Sequence, residues 1–219
     1  MNRRAARVFA AAAVSSGIGP NTVTVLSACS SFVGLVLLVV LPQSWGTGVL
    51  VASLLALGYI MDSADGQVAR TTGKGSPAGE WLDHVVDAVR TPALHLAVFI
   101  GFERWFNFDP WLSYLPLVFA LVAVGHFTSQ ILAEQLTRQR VAQLPVASPG
   151  VSSAEPHRKG ALWSVLIIPA DTGIMCWVFV LWGSPVLFAA SYVLLFLFSL
   201  IFAGISARRK FVHLGVRVR

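Results

Sequence analysis

Four stretches of this chain run without a charged side chain for long enough to cross a lipid bilayer, or nearly so: residues 22–41, 45–61, 110–133 and 185–206. A helix needs about 20 apolar residues to span the hydrocarbon core, and in lipid only helices and closed barrels satisfy every backbone polar group. The blocks therefore predict an all-α integral membrane protein. Composition agrees, with 56% apolar and only 12% charged residues in a chain of 219. Soluble domains carry about twice that charge. The two cysteines, Cys29 and Cys176, both lie in apolar blocks, which excludes a disulfide framework.

Two further spans are imperfect. Residues 160–183 are interrupted by Pro169 and Asp171, and the stretch ending at Phe102 has too few uncharged residues after Arg90 to cross alone. That span must start near Asp83 and carry Asp83, Asp87 and Arg90 within or at the membrane boundary. The reading is six transmembrane helices forming one membrane domain over 1–219. Residues 1–19 precede them as an interfacial amphipathic helix, with Arg3, Arg4 and Arg7 opposite Ala5, Phe9 and Ala12. Residues 137–160, rich in proline and serine, read as a cytoplasmic loop.

Basic residues orient the spans. Arg3, Arg4, Arg7, Arg70, Lys74, Arg138, Arg140, Arg158, Lys159, Arg208, Arg209, Lys210, Arg217 and Arg219 fall on one side, and Arg104 on the other. The positive-inside rule puts both termini in the cytoplasm, with the plasma membrane as the expected location. The net charge of +6 is thus a topology signal with affinity for anionic lipid, and nothing patterns it for nucleic acid.

The chain has ten acidic residues, and Asp62, Asp65, Glu80, Asp83 and Asp87 crowd into one short stretch. Asp62 and Asp65 are spaced i, i+3 at the cytoplasmic end of the second span. Asp83 and Asp87 are spaced i, i+4 at the start of the third. Each pair shares a helical face, and the turn-forming Thr71–Pro77 segment makes the two helices antiparallel neighbours. Glu80 reads as a first-turn charge. Four converging carboxylates at a membrane boundary call for a cationic partner, and hard oxygen donors suit Mg²⁺ or Mn²⁺ better than zinc. The plainer alternative is interfacial pairing with Arg70 and Arg90. Two face-matched pairs in a chain so poor in acids favour the metal.

The neighbours of the carboxylates narrow the chemistry. Gly66 leaves the backbone bare beside Asp65, Arg70 is a planar donor suited to phosphate, and Ser76 offers a hydroxyl. Two metals, an arginine and an open backbone patch describe a pyrophosphate site. The run Asp62-Ser-Ala-Asp65-Gly66-Gln-Val-Ala69-Arg70, followed by Gly79, Asp83 and Asp87, fills every fixed position of D-x2-D-G-x2-A-R-x8-G-x3-D-x3-D. In this it resembles the CDP-alcohol phosphotransferase family, whose P-[ND]-x-x-T helix start is matched by Pro20-Asn21-Thr22-Val23-Thr24.

The resemblance implies that the four aspartates bind two divalent cations, Mg²⁺ or Mn²⁺, which hold the pyrophosphate of a CDP-linked donor. It implies that Asp87 is the general base on the acceptor hydroxyl, a choice over Asp83 that the residues alone leave open. Asn21, Thr24, Gly66, Arg70, Ser76 and Gly79 fall where members contact the CDP donor. A homodimer, a CDP-diacylglycerol donor and a polar alcohol acceptor, with CMP as leaving group in phospholipid synthesis, complete the expectation. A soluble CDP-alcohol acting on a lipid acceptor is the alternative.

Phosphatidylinositol-phosphate synthases of the family place a Lys and an Arg late in the fourth helix to hold the acceptor's phosphate. Leu132 and Glu134 stand there in this chain, which disfavours a phosphorylated acceptor bound by those contacts, with Arg138, Arg140, Arg158 and Lys159 as available substitutes. Asp171 reads as a helix-break residue or a partner for Arg90 before an acceptor sensor. His84, His95 and His126 read as packing or interfacial groups, and Trp45, Trp81, Trp105, Trp111 and Trp182 as an aromatic belt. A divalent-cation transporter is the rival of a different class; it requires acids or polar groups continuing toward the outer face, which the outer halves of the spans lack.

Overall fold

The computed structural model describes residues 2–143 and 172–215. Every regular element among them is helical: α1 (Asn2–Ser15), α2 (Pro20–Val40), α3 (Trp45–Thr72), α4 (Pro77–Trp105), the single turn α5 (Pro110–Ser113), α6 (Leu115–Ala142), α7 (Thr172–Val178) continued by a 3₁₀ stretch (Phe179–Gly183), and α8 (Pro185–Gly215). Five helices among the described residues are long and apolar enough to cross a membrane: α2, α3, α4, the α5–α6 pair and α8. This is the expected all-α multi-pass architecture. Of the segment 160–183, only α7 and its 3₁₀ continuation are described; Pro169 and Asp171 lie outside the described residues, as do Arg158, Lys159, Arg217 and Arg219.

Proline and serine punctuate the helix starts. Pro20 and Pro77 occupy first-turn positions, where a missing N–H costs nothing. Ser44 and Ser76 cap α3 and α4 by accepting from the backbone N–H of Thr47 and Gly79. α3 stops at Gly73, which takes a left-handed φ of 66° that side-chain-bearing residues rarely adopt. That turn sends α4 back to pack on α2, which α3 also packs against.

Small and hydroxylated residues let α2 and α3 approach closely. Ser27 Oγ donates to the Gly58 carbonyl at 2.8 Å and Ser30 Oγ to the Leu54 carbonyl at 2.8 Å. Membrane helices associate through such contacts because lipid supplies no hydrophobic drive. The half of the bundle away from the carboxylates is an aromatic core in which Phe102, Phe179, Trp182, Phe188 and Tyr192 are fully buried. Trp182 is therefore not part of an interfacial belt, and the indole N–H of Trp105 is buried too. The 3₁₀ stretch turns Trp182 inward over Gly101, whose lack of a side chain makes room for the ring. Trp45, Trp81 and Trp111 are exposed.

α1 forms as expected, but its buried stripe is Ala6, Ala10 and Ala13, packed with Val23, Met61, Ala64 and Val68. Ala5 and Ala12 are exposed and Phe9 is half-buried. Alanines at i, i+4 and i+7 give a flat face that lies close on α3, so the smallest side chains rather than the bulkiest set the docking. α6 continues to Ala142, so residues 137–142 of the expected loop are helical and the stretch from 144 lies outside the described residues. α8, with 31 residues, is about 46 Å long and overshoots a core of about 30 Å. Its overhang carries Arg208, Arg209, Lys210 and His213.

Candidate active site

The end of α3 and the start of α4 do not pack on each other as the short turn between them suggested; both pack on α2, which leaves a gap between them into which their carboxylates converge. Oxygens of Asp62, Asp83 and Asp87 lie within 4.8 Å of one another. Three hard oxygen donors at that separation can hold a divalent cation after small rotations, since Mg²⁺ draws its ligands to about 2.1 Å. Asp65 is buried beside them, 8% exposed, and turned toward α2: Thr24 Oγ1 donates to its Oδ2 at 2.6 Å, and the Gly66 N–H donates to its Oδ1. The structure thus gathers three of the four predicted ligands and fixes the fourth one helical turn away.

Arg90 lies a turn beyond Asp87 and reaches back to the cluster. Its Nη2 donates to Asp62 Oδ1 at 2.9 Å and to Asp87 Oδ1, while Nη1 donates to Ser27 Oγ at 3.2 Å. The ion-pairing alternative is therefore realised for Asp62 and Asp87. Arg70 is exposed, and its guanidinium folds over Gly66, approaching to 3.4 Å of the position a side chain would take there. Ser27 is the residue that sequence reasoning missed; a serine inside an apolar block gives no sign of which distant side chain it will hold.

Two cavities adjoin the cluster. The first, about 520 Å³, is lined by Asp65 and Asp83 and by Asn21, Thr24, Gly66, Arg70, Ser76 and Gly79, along with Lys74 and Glu80. Every residue expected to contact the CDP donor lines this one space. Asn21 Oδ1 lies 2.8 Å from where a side chain on Gly79 would begin, so the glycine is what lets α2 and α4 close around the cavity. Ser76 is already the cap of α4, its hydroxyl oxygen accepting from the Gly79 N–H. The second cavity, about 370 Å³, is lined by Asp62, Asp87 and Arg90 together with Tyr59, Thr91, Gln130 and Ser199 and apolar side chains. The carboxylate cluster is the wall between the two.

A third cavity, about 730 Å³, carries Arg138, Arg209, Lys210 and His213, and Gln130 lines both it and the second. Leu132 is exposed, and Glu134 pairs with Arg138, which also donates to Glu80. Arg140 donates to the Leu214 carbonyl instead. His95 is buried, bonded to the Tyr192 hydroxyl and packed on Phe119, and His126 bonds Gln130. His84 lies 3.8 Å from Glu80 and 3.9 Å from Asp83.

The sequence profile of the family described as CDP-alcohol phosphatidyltransferase matches residues 18–205, which is most of the chain. Part of the chain is similar to phosphatidylinositol phosphate synthase of Streptomyces avermitilis, 35% identical over 101 residues that make up 45% of this chain and 37% of that protein. A shorter stretch is similar to archaetidylinositol phosphate synthase of Aeropyrum pernix, 44% identical over 53 residues, 23% of this chain and 27% of that protein. The matched stretches thus span well under half the length of either relative.

Proposed function

The chain belongs to the CDP-alcohol phosphatidyltransferase family, and from that premise we propose that it transfers a phosphatidyl group from CDP-diacylglycerol to a polar alcohol and releases CMP. One observation carries the reading: the carboxylate cluster divides two cavities, one lined by Asp65 and Asp83 and the other by Asp62 and Asp87. Displacement at phosphorus proceeds in line, with the attacking and leaving oxygens on opposite sides. A site for it needs two chambers meeting at one charged wall.

In this reading the CDP moiety occupies the first cavity, against Asn21, Thr24, Gly66, Arg70, Ser76 and Gly79. Arg70 meets the pyrophosphate as a forked donor. The acceptor enters the second cavity, where Asp87 takes the proton from its hydroxyl. The freed oxygen bonds to the β-phosphorus as the bond from that phosphorus to the CMP oxygen breaks. Asp62, Asp65, Asp83 and Asp87 are the metal ligands; Mg²⁺ or Mn²⁺, two ions per site, would neutralise the pyrophosphate and the departing phosphate. A donor with acyl chains stays in the leaflet while its nucleotide reaches the boundary where α3 and α4 leave the membrane. The basic residues at this end support a cytoplasmic site in the plasma membrane, and the homodimer implied by the resemblance belongs to the same proposal.

The third cavity favours a second reading of the acceptor. Both relatives are named as synthases of an inositol phosphate lipid, and Arg209 and Lys210 on α8 join Arg138 of α6 in supplying cations to the cavity that Gln130 lines. A phosphorylated polyol could place its hydroxyl at Asp87 and its phosphate there. The transporter alternative needs a polar path to the outer face; beyond the cluster lies the aromatic core of Phe102, Trp182 and Phe188.

The test is CMP release by the purified protein with CDP-diacylglycerol, Mg²⁺ and a panel of acceptors: serine, glycerol 3-phosphate, inositol, inositol phosphate and choline. One acceptor should support release, chelation by EDTA should abolish it, and Mg²⁺ or Mn²⁺ should restore it. Full activity in chelator would discard the metal centre, and release with none of the panel would discard the acceptor assignment.

A further inference from the structure

Arg90 holds a position that the proposed metal centre must contest. A single nitrogen of its guanidinium, Nη2, bridges one oxygen of Asp62 and one of Asp87. Those are two of the three carboxylates whose oxygens lie within 4.8 Å. A cation bridging the same two oxygens would sit where Nη2 sits. The other nitrogen, Nη1, is anchored by Ser27 on α2, whose hydroxyl is itself fixed to the Gly58 carbonyl on α3. The side chain is 14% exposed and lines the second cavity, so there is space for it to withdraw.

We propose that Arg90 is a resident counter-cation, a positioning residue that occupies the Asp62–Asp87 edge and competes there with a divalent ion. The inference rests on the metal-centre reading above and adds an order to it. Without donor, four carboxylates at a membrane boundary repel one another, and the guanidinium offsets part of that charge. An arginine does not shed its proton to make way for a metal, so it must move. Oxygens of the donor's pyrophosphate supply the extra ligands that tip the exchange. The ion at this edge therefore binds weakly to the free protein and together with the nucleotide in the complex.

The experiment is Mn²⁺ binding followed by electron paramagnetic resonance on the full chain in detergent, without donor, for wild type, Arg90→Gln, Ser27→Ala and Asp83→Asn. Arg90→Gln should bind Mn²⁺ about five- to tenfold more tightly than wild type, the range expected when a partly buried ion pair no longer competes. Ser27→Ala, which loosens only the anchor, should tighten binding by a smaller factor; it carries the test if Arg90→Gln does not fold. An affinity unchanged or weakened in both variants would overturn the proposal and make Arg90 a scaffold for the carboxylates. Asp83→Asn separates the two ideas. If it binds Mn²⁺ as wild type does, or if neither wild type nor Arg90→Gln binds any, the metal centre itself falls and the inference with it.

Discussion

Asp87 stands one helical turn from Asp83 and one from Arg90, so exchanging its carboxylate for an amide changes charge and basicity with little change of volume. If it takes the acceptor's proton, Asp87→Asn should lower CMP release by about 10²- to 10⁴-fold, the usual share of general-base catalysis. It should weaken donor binding far less than it lowers CMP release, because the first cavity is lined by Asp65 and Asp83 and not by Asp87. Single-turnover CMP release and donor titration measure the two separately; normal turnover would remove the base assignment. Arg70 is a different case, since it is exposed and touches no carboxylate of the cluster. Arg70→Ala should raise the donor KM by about tenfold, as expected for a lost charge-assisted contact to phosphate, with kcat less affected. An unchanged KM would take Arg70 out of the donor site. Both aspartate pairs could be read from the sequence because i, i+3 and i, i+4 spacings fix faces on any helix. The Ser27–Arg90 bond could not be, because its partners are 63 positions apart and meet only once α2 and α4 pack.

Helices were legible for a related reason: lipid leaves the backbone no alternative, so uncharged length alone predicts them. Which way each face turns was less legible. α1 docks through Ala6, Ala10 and Ala13 because a flat face can approach α3 closely, and hydrophobicity alone points to bulkier residues. Trp182 resembles a belt residue by its place near a span end, and the 3₁₀ turn carries it into the core instead. That burial makes a prediction about α4. A side chain at Gly101 would begin 2.6 Å from Trp182 Cη2, and the ring is held by Phe102, Phe106 and Phe188. Gly101→Ala should destabilise the protein by about 1–3 kcal/mol, the usual cost of overpacking. Gly125→Ala on α6 has nothing within 4 Å and is the control. Thermal unfolding in detergent compares them, and equal midpoints would mean that α4 and the 3₁₀ stretch are not packed as described.

The molecule as a whole divides its labour along the helix axes: an aromatic half that packs and an opposite half opened by charge. Sequence reasoning singled out the carboxylates and the residues that line the first cavity but gave no view of the second cavity. Its lining comes from α2, α3, α4, α6, α7 and α8, and no motif spans elements so far apart. If the two cavities serve different substrates, filling each should damage a different kinetic constant. Ala69 lines only the first and Ala123 only the second, and both are half-buried alanines on long helices. A larger apolar side chain at either site costs at most about 0.7 kcal/mol of helix propensity and removes cavity volume. Ala69→Leu should raise the donor KM with the acceptor KM unchanged, and Ala123→Phe should do the reverse, each by about tenfold or more given how steeply transfer depends on placement. Steady-state kinetics with both substrates varied reads the pattern directly. A crossover would tie each substrate to its side of the carboxylate wall. If both variants lost affinity for the same substrate, the second cavity would be an extension of the donor site, and the acceptor would have to reach Asp87 from the basic surface at Gln130.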